Sequence, residues 1–197
     1  GEVVEVEDEK WIGQRVAGEI NVTCGKCEQC RNGRETHCED RTTLGIHNRD
    51  GVFAEYLRLP IRNLHRIPDS VPDEKAVFTE LLAAALEILQ QVHIHPTDRV
   101  LVIGAGRFGQ LIAQVLQLTG ADLRVVARHP QQNKLLTERG IRLIAGEDVE
   151  PWRWDVVVDV TGSASGFELA RQALRPRGTL VMKSTYKGEI QVNFSSI

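Results

Sequence analysis

Residues 100–109 read Val100-Leu101-Val102-Ile103-Gly104-Ala105-Gly106-Arg107-Phe108-Gly109, an apolar run that changes into the pattern G-x-G-x-x-G. The run is typical of a strand buried on both faces, and residues 110–116 then repeat their apolar side chains at helical spacing. This order of strand, glycine turn and helix predicts a dinucleotide-binding turn, against the alternative of a glycine-rich turn that binds nothing.

Each glycine of the turn has a separate physical task. Gly104 permits the tight turn, Gly106 lets the backbone approach a pyrophosphate at the helix N-terminus, and Gly109 lets the helix pack closely on the strand. We take these three glycines, with Arg107 and Phe108 between them, as candidate cofactor-binding residues.

Strand and helix patterns continue to alternate after this turn, which indicates a parallel sheet with crossover helices. Strands are predicted at 100–103, 123–127, 142–145, 155–160 and 179–183, and helices at 110–116, 131–139 and 166–174. A complete dinucleotide fold has about six strands, so these five predict an α/β doubly wound sheet of Rossmann type that is incomplete at its C-terminus.

The position that would contact the ribose of the cofactor lies about 20 residues after the glycine turn. An acidic residue there holds the ribose hydroxyls of NAD, whereas an arginine accommodates the 2′-phosphate of NADP. This sequence has Arg128 and His129 there, and Asp122 comes too early, in the turn before the strand. Both basic side chains can donate charge-assisted hydrogen bonds to a phosphate, so we predict NAD(P), with NADP favoured. The alternatives for Arg128 are stacking on the adenine or exposure to solvent.

All four cysteines fall in one segment with the spacing C-x2-C-x2-C-x7-C, at Cys24, Cys27, Cys30 and Cys38. Four thiolates on so short a loop can close around one Zn²⁺, which makes a closed structural site. Two local disulfides or a cysteine-ligated iron–sulfur cluster are the alternatives, and the spacing favours zinc. We expect His37 to be a bystander.

The region before residue 69 has the pattern of short strands that is typical of a small barrel-like β domain. Strands are predicted at 2–7, 16–22, 52–60 and 63–67. The pattern changes at 68–72, where Ser70 can cap a helix that has Asp73 and Glu74 in its first turn and continues through the Ala-, Leu- and Glu-rich run at 76–89. We therefore predict domains at 1–68 and 69–197, with the boundary before this helix.

Glu80 lies within that otherwise apolar helical stretch, so its carboxylate is either exposed to solvent or a ligand. His93 and His95 resemble a metal-binding pair only superficially, and we expect them to mark the end of the helix.

Composition excludes several classes of protein. The formal net charge is −3 and no block of basic residues is present, which argues against binding to nucleic acid or to an anionic membrane surface. The same charge argues against a zinc ribbon that binds nucleic acid. No apolar stretch approaches the ~20 residues of a membrane span, and nothing resembles a signal peptide. We expect a soluble, cytoplasmic protein without nucleic-acid or membrane partners.

The cysteine segment, the DGxFAEY-like stretch at 50–56, Thr79-Glu80, the turn at 104–109 and the run at 155–162 resemble, in order and spacing, the zinc-containing alcohol dehydrogenases of the medium-chain dehydrogenase/reductase superfamily. The resemblance covers essentially the whole chain, and the distance between the four cysteines and the glycine turn is its most specific part. It implies a GroES-like catalytic domain with a structural-zinc lobe at 24–38, a Rossmann domain, and a cleft between them. The implied activity is hydride transfer between NAD(P) and an alcohol, polyol, aldehyde or ketone by a protein that we expect to be a homo-oligomer.

The resemblance also assigns single residues. In that family a second, catalytic zinc acts as a Lewis acid on the substrate oxygen. Glu80 matches a late carboxylate ligand of that ion in the polyol-dehydrogenase-like branch, although Leu81 stands where that branch often has proline. Thr161 and Gly162 match the loop beside the nicotinamide ribose.

The remaining catalytic-zinc ligands of the family would precede Gly1, and its last sheet strand would follow Ile197. We therefore expect a chain truncated at both ends with an incomplete catalytic site. Two functions stay open: a zinc-type dehydrogenase that is complete only in a longer polypeptide, and a catalytically silent, zinc-stabilised NADP(H)-binding module.

Overall fold

The computed structural model describes residues 1–186, 189–190 and 192, and the chain divides into two compact units, Gly1–Glu80 and Leu81–Ile197. The domain boundary expected between residues 68 and 69 lies earlier in the chain and stays a prediction. Within the described residues, no helix combines the length and apolarity needed to cross a bilayer.

Short pieces of regular structure make up the first unit. Its strands are β1 (Val16–Gly18), β2 (Asn21–Val22), β3 (Thr42–Thr43) and β4 (Leu64–Arg66), its helices are α1 (Glu28–Arg31) and α2 (Asp73–Ala76), and 3₁₀ turns lie at Glu9–Trp11, Glu35–His37 and Ile61–Asn63. β1 pairs antiparallel with β4, and β2 pairs antiparallel with β3.

The single strand expected over 16–22 is wrong, because β1 and β2 belong to different ribbons. Buried Asn63 explains the break. Its side-chain amide donates to the backbone carbonyls of Glu19 and Asn21, at 3.3 and 2.7 Å. The backbone carbonyl of Asn63 accepts from the Glu19 amide at 2.8 Å. These bonds occupy backbone groups that a continuous ladder would use.

The strands expected at 2–7 and 52–60 are also wrong. The first is reduced to a bridge between Glu2 and Arg15, and the second forms no strand. Phe53 and Tyr56 are exposed there, at 106% and 76%. Alternating sequence makes a strand only when another strand supplies backbone partners, and none of the described residues does so for 52–60.

The single helix expected from the turn that contains Asp73 and Glu74 to residue 89 is divided into α2, which has both acidic residues in its first turn, and α3 (Thr79–Gln91). Pro72, not Ser70, precedes the first helical residue of α2. The Thr79 hydroxyl donates to the Ala76 carbonyl at 2.7 Å, which satisfies an acceptor at the break between the two helices.

Five parallel strands form the sheet of the second unit, in the order β7-β6-β5-β8-β9. Its elements after α3 are β5 (Arg99–Ile103), α4 (Arg107–Gln117), β6 (Asp122–Val126), α5 (Pro130–Glu138), β7 (Arg142–Ile144), β8 (Trp154–Asp159), α6 (Ala164–Ala173) and β9 (Leu174–Met182). The predicted Rossmann-type parallel sheet is confirmed. α4 begins three residues earlier than expected, and β9 begins at Leu174 instead of residue 179.

Apolar side chains cover both faces of this sheet. Val100 and Val102 face one layer with Ile112 and Leu116 of α4, and the layer on the other face is formed by Leu101, Ile103, Val157, Ala170 and Ala173. Because a fully buried aliphatic side chain contributes about 1.5–3 kcal/mol, these layers hold the carboxyl ends of β5, β6 and β8 in fixed positions.

Candidate functional site

The glycine turn joins β5 to α4 at the carboxyl edge of the sheet. Gly104 has a φ of +106°, and a Cβ there would lie 3.2 Å from the Val160 carbonyl oxygen and 3.2 Å from Thr161 Cγ2. Its amide donates to the Val126 carbonyl at 3.1 Å. Only glycine suits both this backbone conformation and this close approach.

Gly109 and Gly106 differ in what surrounds them. A Cβ on Gly109 would overlap the Gly104 carbonyl oxygen, so a side chain there is excluded by the protein itself. A Cβ on Gly106 would meet nothing within 4 Å, and Gly106 precedes α4 without a side-chain cap. The amides of the first turn of α4 therefore face an open approach, which fits a pyrophosphate.

The predicted phosphate-binding residues follow β6 at the same edge. Arg128 and His129 are exposed, and His129 is the N-cap residue of α5. Among the described residues the Arg128 side chain makes no hydrogen bond or ion pair. Asp122 is the first residue of β6, at the other end of the strand. Its carboxylate oxygens lie 3.7 and 3.4 Å from the guanidinium groups of Arg124 and Arg142, respectively. Asp122 thus lies away from this edge, but it is in the strand and not in the preceding turn where the sequence placed it.

Arg107 and Phe108 occupy the first turn of α4. Arg107 is exposed, and Phe108 is half-buried with the Lys183 ammonium 5.8 Å from the centre of its ring. Lys183 follows β9, so the structure adds a positive charge near the turn that the sequence reasoning did not find. The sequence shows a lysine directly after an apolar strand. Its position near the glycine turn can be recognised only when the order of the strands in the sheet is known.

Thr161 and Gly162 follow β8, and Thr161 lies against Gly104. Gly162 has a φ of +62°, and the Thr161 hydroxyl donates to the Asp159 carboxylate at 2.7 Å. The Thr161 amide donates to the same carboxylate oxygen, Oδ1, at 2.9 Å. Asp159 was not predicted as a functional residue, although the sequence places its carboxylate directly after the apolar run Val156–Val158. In the structure Asp159 is only 2% exposed, which is unusual for a carboxylate.

The four cysteines form a second site, in the first unit. Their sulfurs all lie within 4.8 Å of one another, none is in a disulfide, and Cys30 and Cys38 are buried. The Cys24 sulfur accepts from the amides of Lys26 and Cys27 at 3.4 and 3.3 Å, and the Cys38 sulfur accepts from the Cys24 amide at 3.3 Å. Four sulfurs with backbone N–H donors suit a structural zinc, as the spacing predicted.

The thiols of this cluster differ in acidity. Backbone N–H groups of Cys30 and then Glu39 lower the pKa of Cys27 to about 6. Burial raises the pKa of Cys30 to about 12. Backbone N–H groups therefore favour the thiolate form of Cys27, whereas burial favours the neutral thiol of Cys30.

Glu80 lies in the first turn of α3 and is half-buried. Within the described part of the chain, only the four cysteines bring three or more metal-ligating side chains together, so Glu80 belongs to no such group there. Its assignment as a metal ligand stays a prediction, as do the cofactor-binding assignments at the glycine turn.

Comparison with known proteins finds related dehydrogenases. The alcohol dehydrogenase GroES-like domain matches residues 1–69. The L-threonine 3-dehydrogenase of Chelativorans sp. (strain BNC1) is 37% identical over 182 residues, covering 85% of this chain and 52% of the relative. That of Shewanella frigidimarina (strain NCIMB 400) is 32% identical over 213 residues, covering 100% of this chain and 62% of the relative. The chain thus spans between about half and two thirds of the length of these relatives.

Two solved dehydrogenase structures have the same fold as this chain. Alcohol dehydrogenase TADH from Thermus sp. ATN1 matches with a TM-score of 0.89 and 28% identity, over 100% of this chain and 64% of that one. A zinc-binding dehydrogenase from Sinorhizobium meliloti 1021, solved bound to NADP, matches with a TM-score of 0.88 and 28% identity, over 100% of this chain and 63% of that one.

Proposed function

Since the chain belongs to the zinc-containing alcohol dehydrogenase family of the medium-chain dehydrogenase/reductase superfamily, we propose that it is part of an NAD(P)-dependent oxidoreductase acting on a small alcohol or polyol. The observation that carries this proposal is the open N-terminus of α4 at a glycine turn on the carboxyl edge of a parallel sheet. Ligands of such sheets bind at this edge.

In this proposal the chain's own residues bind and orient the cofactor. The first-turn amides of α4 hold the pyrophosphate, with Gly106 leaving room for it. Arg128 and His129 bind the 2′-phosphate of NADP, because the exposed Arg128 guanidinium has no ion-pair partner among the described residues. Thr161 and Gly162 border the nicotinamide ribose.

Metal ions have two separate roles in the proposal. The cysteine cluster holds a structural zinc, which stabilises the loop between β2 and β3. Glu80 would be one ligand of a catalytic zinc, as the family resemblance implies, although among the described residues no group of three metal-ligating side chains includes it. If bound there, zinc would supply Lewis-acid activation of the substrate oxygen, and a bound nicotinamide would supply the hydride donor or acceptor.

A secondary hydroxyl is the proposed reacting group. The named curated relatives are L-threonine 3-dehydrogenases, and the substrate in that name carries its hydroxyl on a secondary carbon. We extend this class to the present protein, with polyols as the second group of substrates to be assayed.

Cofactor binding by the 197-residue chain is the first test. Titration with NADPH, followed by its fluorescence, should show saturable binding that Gly106→Ala weakens at least tenfold, because the added methyl group occupies the approach to the α4 amides. An unchanged dissociation constant in Gly106→Ala would contradict the assignment of the turn.

Zinc content and turnover of the full-length protein separate the dehydrogenase from a silent module. Two zinc ions per chain and oxidation of L-threonine or a polyol are expected. One zinc ion per chain, with tight NADPH binding and no turnover on any alcohol, would instead support the silent NADP(H)-binding module.

A further inference from the structure

A buried carboxylate lies at the carboxyl end of β8, one residue before the loop that borders the glycine turn. Asp159 is 2% exposed, and its Oδ1 accepts two hydrogen bonds, from the Thr161 amide at 2.9 Å and from the Thr161 hydroxyl at 2.7 Å. Burial of a carboxylate is unfavourable unless hydrogen bonds replace its hydration, and Thr161 supplies these bonds. Asp159 therefore holds the backbone and the side chain of Thr161 at once.

Further hydrogen bonds extend this arrangement into α6. The Thr161 hydroxyl oxygen accepts from the Ser163 amide at 3.2 Å and from the Ser163 hydroxyl at 3.1 Å. The Ser163 hydroxyl oxygen accepts from the Gly166 amide at 3.1 Å and so caps α6. An ionised carboxylate can only accept, so the Thr161 hydroxyl donates to Asp159 and its oxygen accepts from Ser163. The Asp159 carboxylate thereby determines which group donates in each of these hydrogen bonds.

Thr161 also contacts the glycine turn directly. A Cβ built on Gly104 would lie 3.2 Å from the Thr161 methyl carbon, so that methyl group packs against the first glycine of the turn. On its other side, a Cβ on Gly166 would overlap the Thr161 hydroxyl. Thr161 is thus enclosed between the glycine turn and α6, in the one rotamer that the Asp159 carboxylate fixes.

From this geometry we propose that Asp159 is a positioning residue of the nucleotide site. Its carboxylate fixes Thr161 against Gly104, so that the loop at residues 160–162 and the glycine turn present one prearranged surface to the dinucleotide. Asp159 itself is too buried to touch the ligand and acts through Thr161. The proposal rests on the dinucleotide-binding function and adds Asp159, a residue to which neither the glycine turn nor the family resemblance assigns a role.

Two pairs of variants of the 197-residue chain test it by NADPH titration. Asp159→Ala removes the acceptor, and Thr161→Val removes the hydroxyl but keeps the side-chain shape. Each should weaken binding about tenfold, the scale of one lost hydrogen bond to a charged group. Asp159→Asn keeps an acceptor oxygen and Thr161→Ser keeps the hydroxyl, so each should stay within about threefold of the unsubstituted chain.

Amide hydrogen exchange at Thr161, measured without ligand, gives a second readout. Asp159→Ala should raise the exchange rate of the Thr161 amide, whereas the control Asp69→Ala, at an exposed aspartate of the first unit, should leave it unchanged. An unchanged Thr161 exchange rate in Asp159→Ala, or unchanged NADPH affinity in both Asp159→Ala and Thr161→Val, would overturn the positioning role.

Failure of the proposed function is distinguishable from failure of this inference. Absence of NADPH binding by the unsubstituted chain would overturn the dinucleotide function, and the exchange rate at Thr161 would then decide whether Asp159 fixes the loop. If Asp159→Ala does not fold, the Thr161→Val and Thr161→Ser pair decides the inference, because both variants keep the carboxylate, and Thr161→Val also keeps the side-chain shape.

Discussion

The two compact units are stabilised by different interactions. The buried apolar residues of the first unit, which the structure describes throughout, are Val3, Val22 and the two cysteines Cys30 and Cys38. The second unit has continuous apolar layers on both faces of its sheet. The first unit therefore depends on its cysteine cluster and on hydrogen bonds such as those of Asn63, whereas burial of apolar surface dominates in the second.

This difference leads to opposite expectations for metal removal and for changes in packing. Loss of zinc should unfold the cysteine segment and leave the sheet of the second unit intact. A steric change at the glycine turn should act on the second unit and leave zinc content unchanged. The following experiments test these expectations, beginning with the largest effect.

Replacement of a zinc ligand should have the largest effect. In Cys27→Ser the zinc content should fall well below one ion per chain and the segment from 21 to 43 should lose its amide protection, because structural zinc contributes on the order of 10 kcal/mol in zinc-finger peptides. Metal analysis and hydrogen exchange measure both. Exposed His37 lies in the same segment outside the sulfur cluster, so His37→Ala should keep its zinc. Unchanged zinc content and Tm in Cys27→Ser would contradict the structural role.

Gly109→Ala should destabilise the second unit. The added Cβ overlaps the Gly104 carbonyl oxygen, and overpacking of this kind costs about 1–3 kcal/mol in the free energy of unfolding. Gly106→Ala is the matched control, since its Cβ meets nothing and its φ of −65° suits alanine. Urea unfolding should separate the two variants, and equal stability would show that close packing at Gly109 is not limiting.

The sequence predicted the second unit better than the first, and the same physical difference explains why. Strands such as β5 and β8 are buried on both faces, so their apolar runs identify them without knowledge of their neighbours. The alternating segment at 52–60 carries as clear a pattern but forms no strand. Its conformation depends on backbone partners, which a local pattern does not contain.

The candidate sites divide in the same way. Cysteine spacing and the glycine pattern are local, so the sulfur cluster and the strand–turn–helix connection were predictable. Lys183 and Asp159 were not, because their importance depends on which strands are neighbours and on the conformation of the loop after β8. For Asp159, the buried position at a strand end was visible in the sequence, but its two bonds to Thr161 were not.

Arg128→Ala should act on cofactor choice and not on stability. Loss of a charge-assisted contact with the 2′-phosphate should weaken NADPH binding about tenfold and change NADH binding little. Parallel titrations with both cofactors measure this, and exposed Arg153→Ala, outside the proposed nucleotide site, is a control for loss of positive charge. Equal losses for NADPH and NADH would indicate that Arg128 contacts the adenine or the common part of the cofactor.

Low pH should weaken the second unit through a single ion pair, and this is the smallest expected effect. Burial alone would raise the pKa of Asp155, but bonds from the Arg99 amide at 2.8 Å and the Arg175 guanidinium at 2.5 Å outweigh it and lower the pKa. A lowered pKa in the folded state stabilises the fold above the unfolded value of about 3.9, and this contribution disappears as the pH falls through the folded value.

The contribution of Asp155 can be isolated by comparing unfolding of the unsubstituted chain and Asp155→Asn at several pH values. Near pH 7 the variant should be less stable by up to about 1 kcal/mol, the scale of a partly exposed ion pair. The difference should shrink as the pH falls below about 4, because the unsubstituted carboxylate becomes protonated while asparagine does not change. A difference that stays constant across this range would mean that Asp155 acts by hydrogen-bond geometry alone, and the low-pH sensitivity of the second unit would then have to arise from other carboxylates.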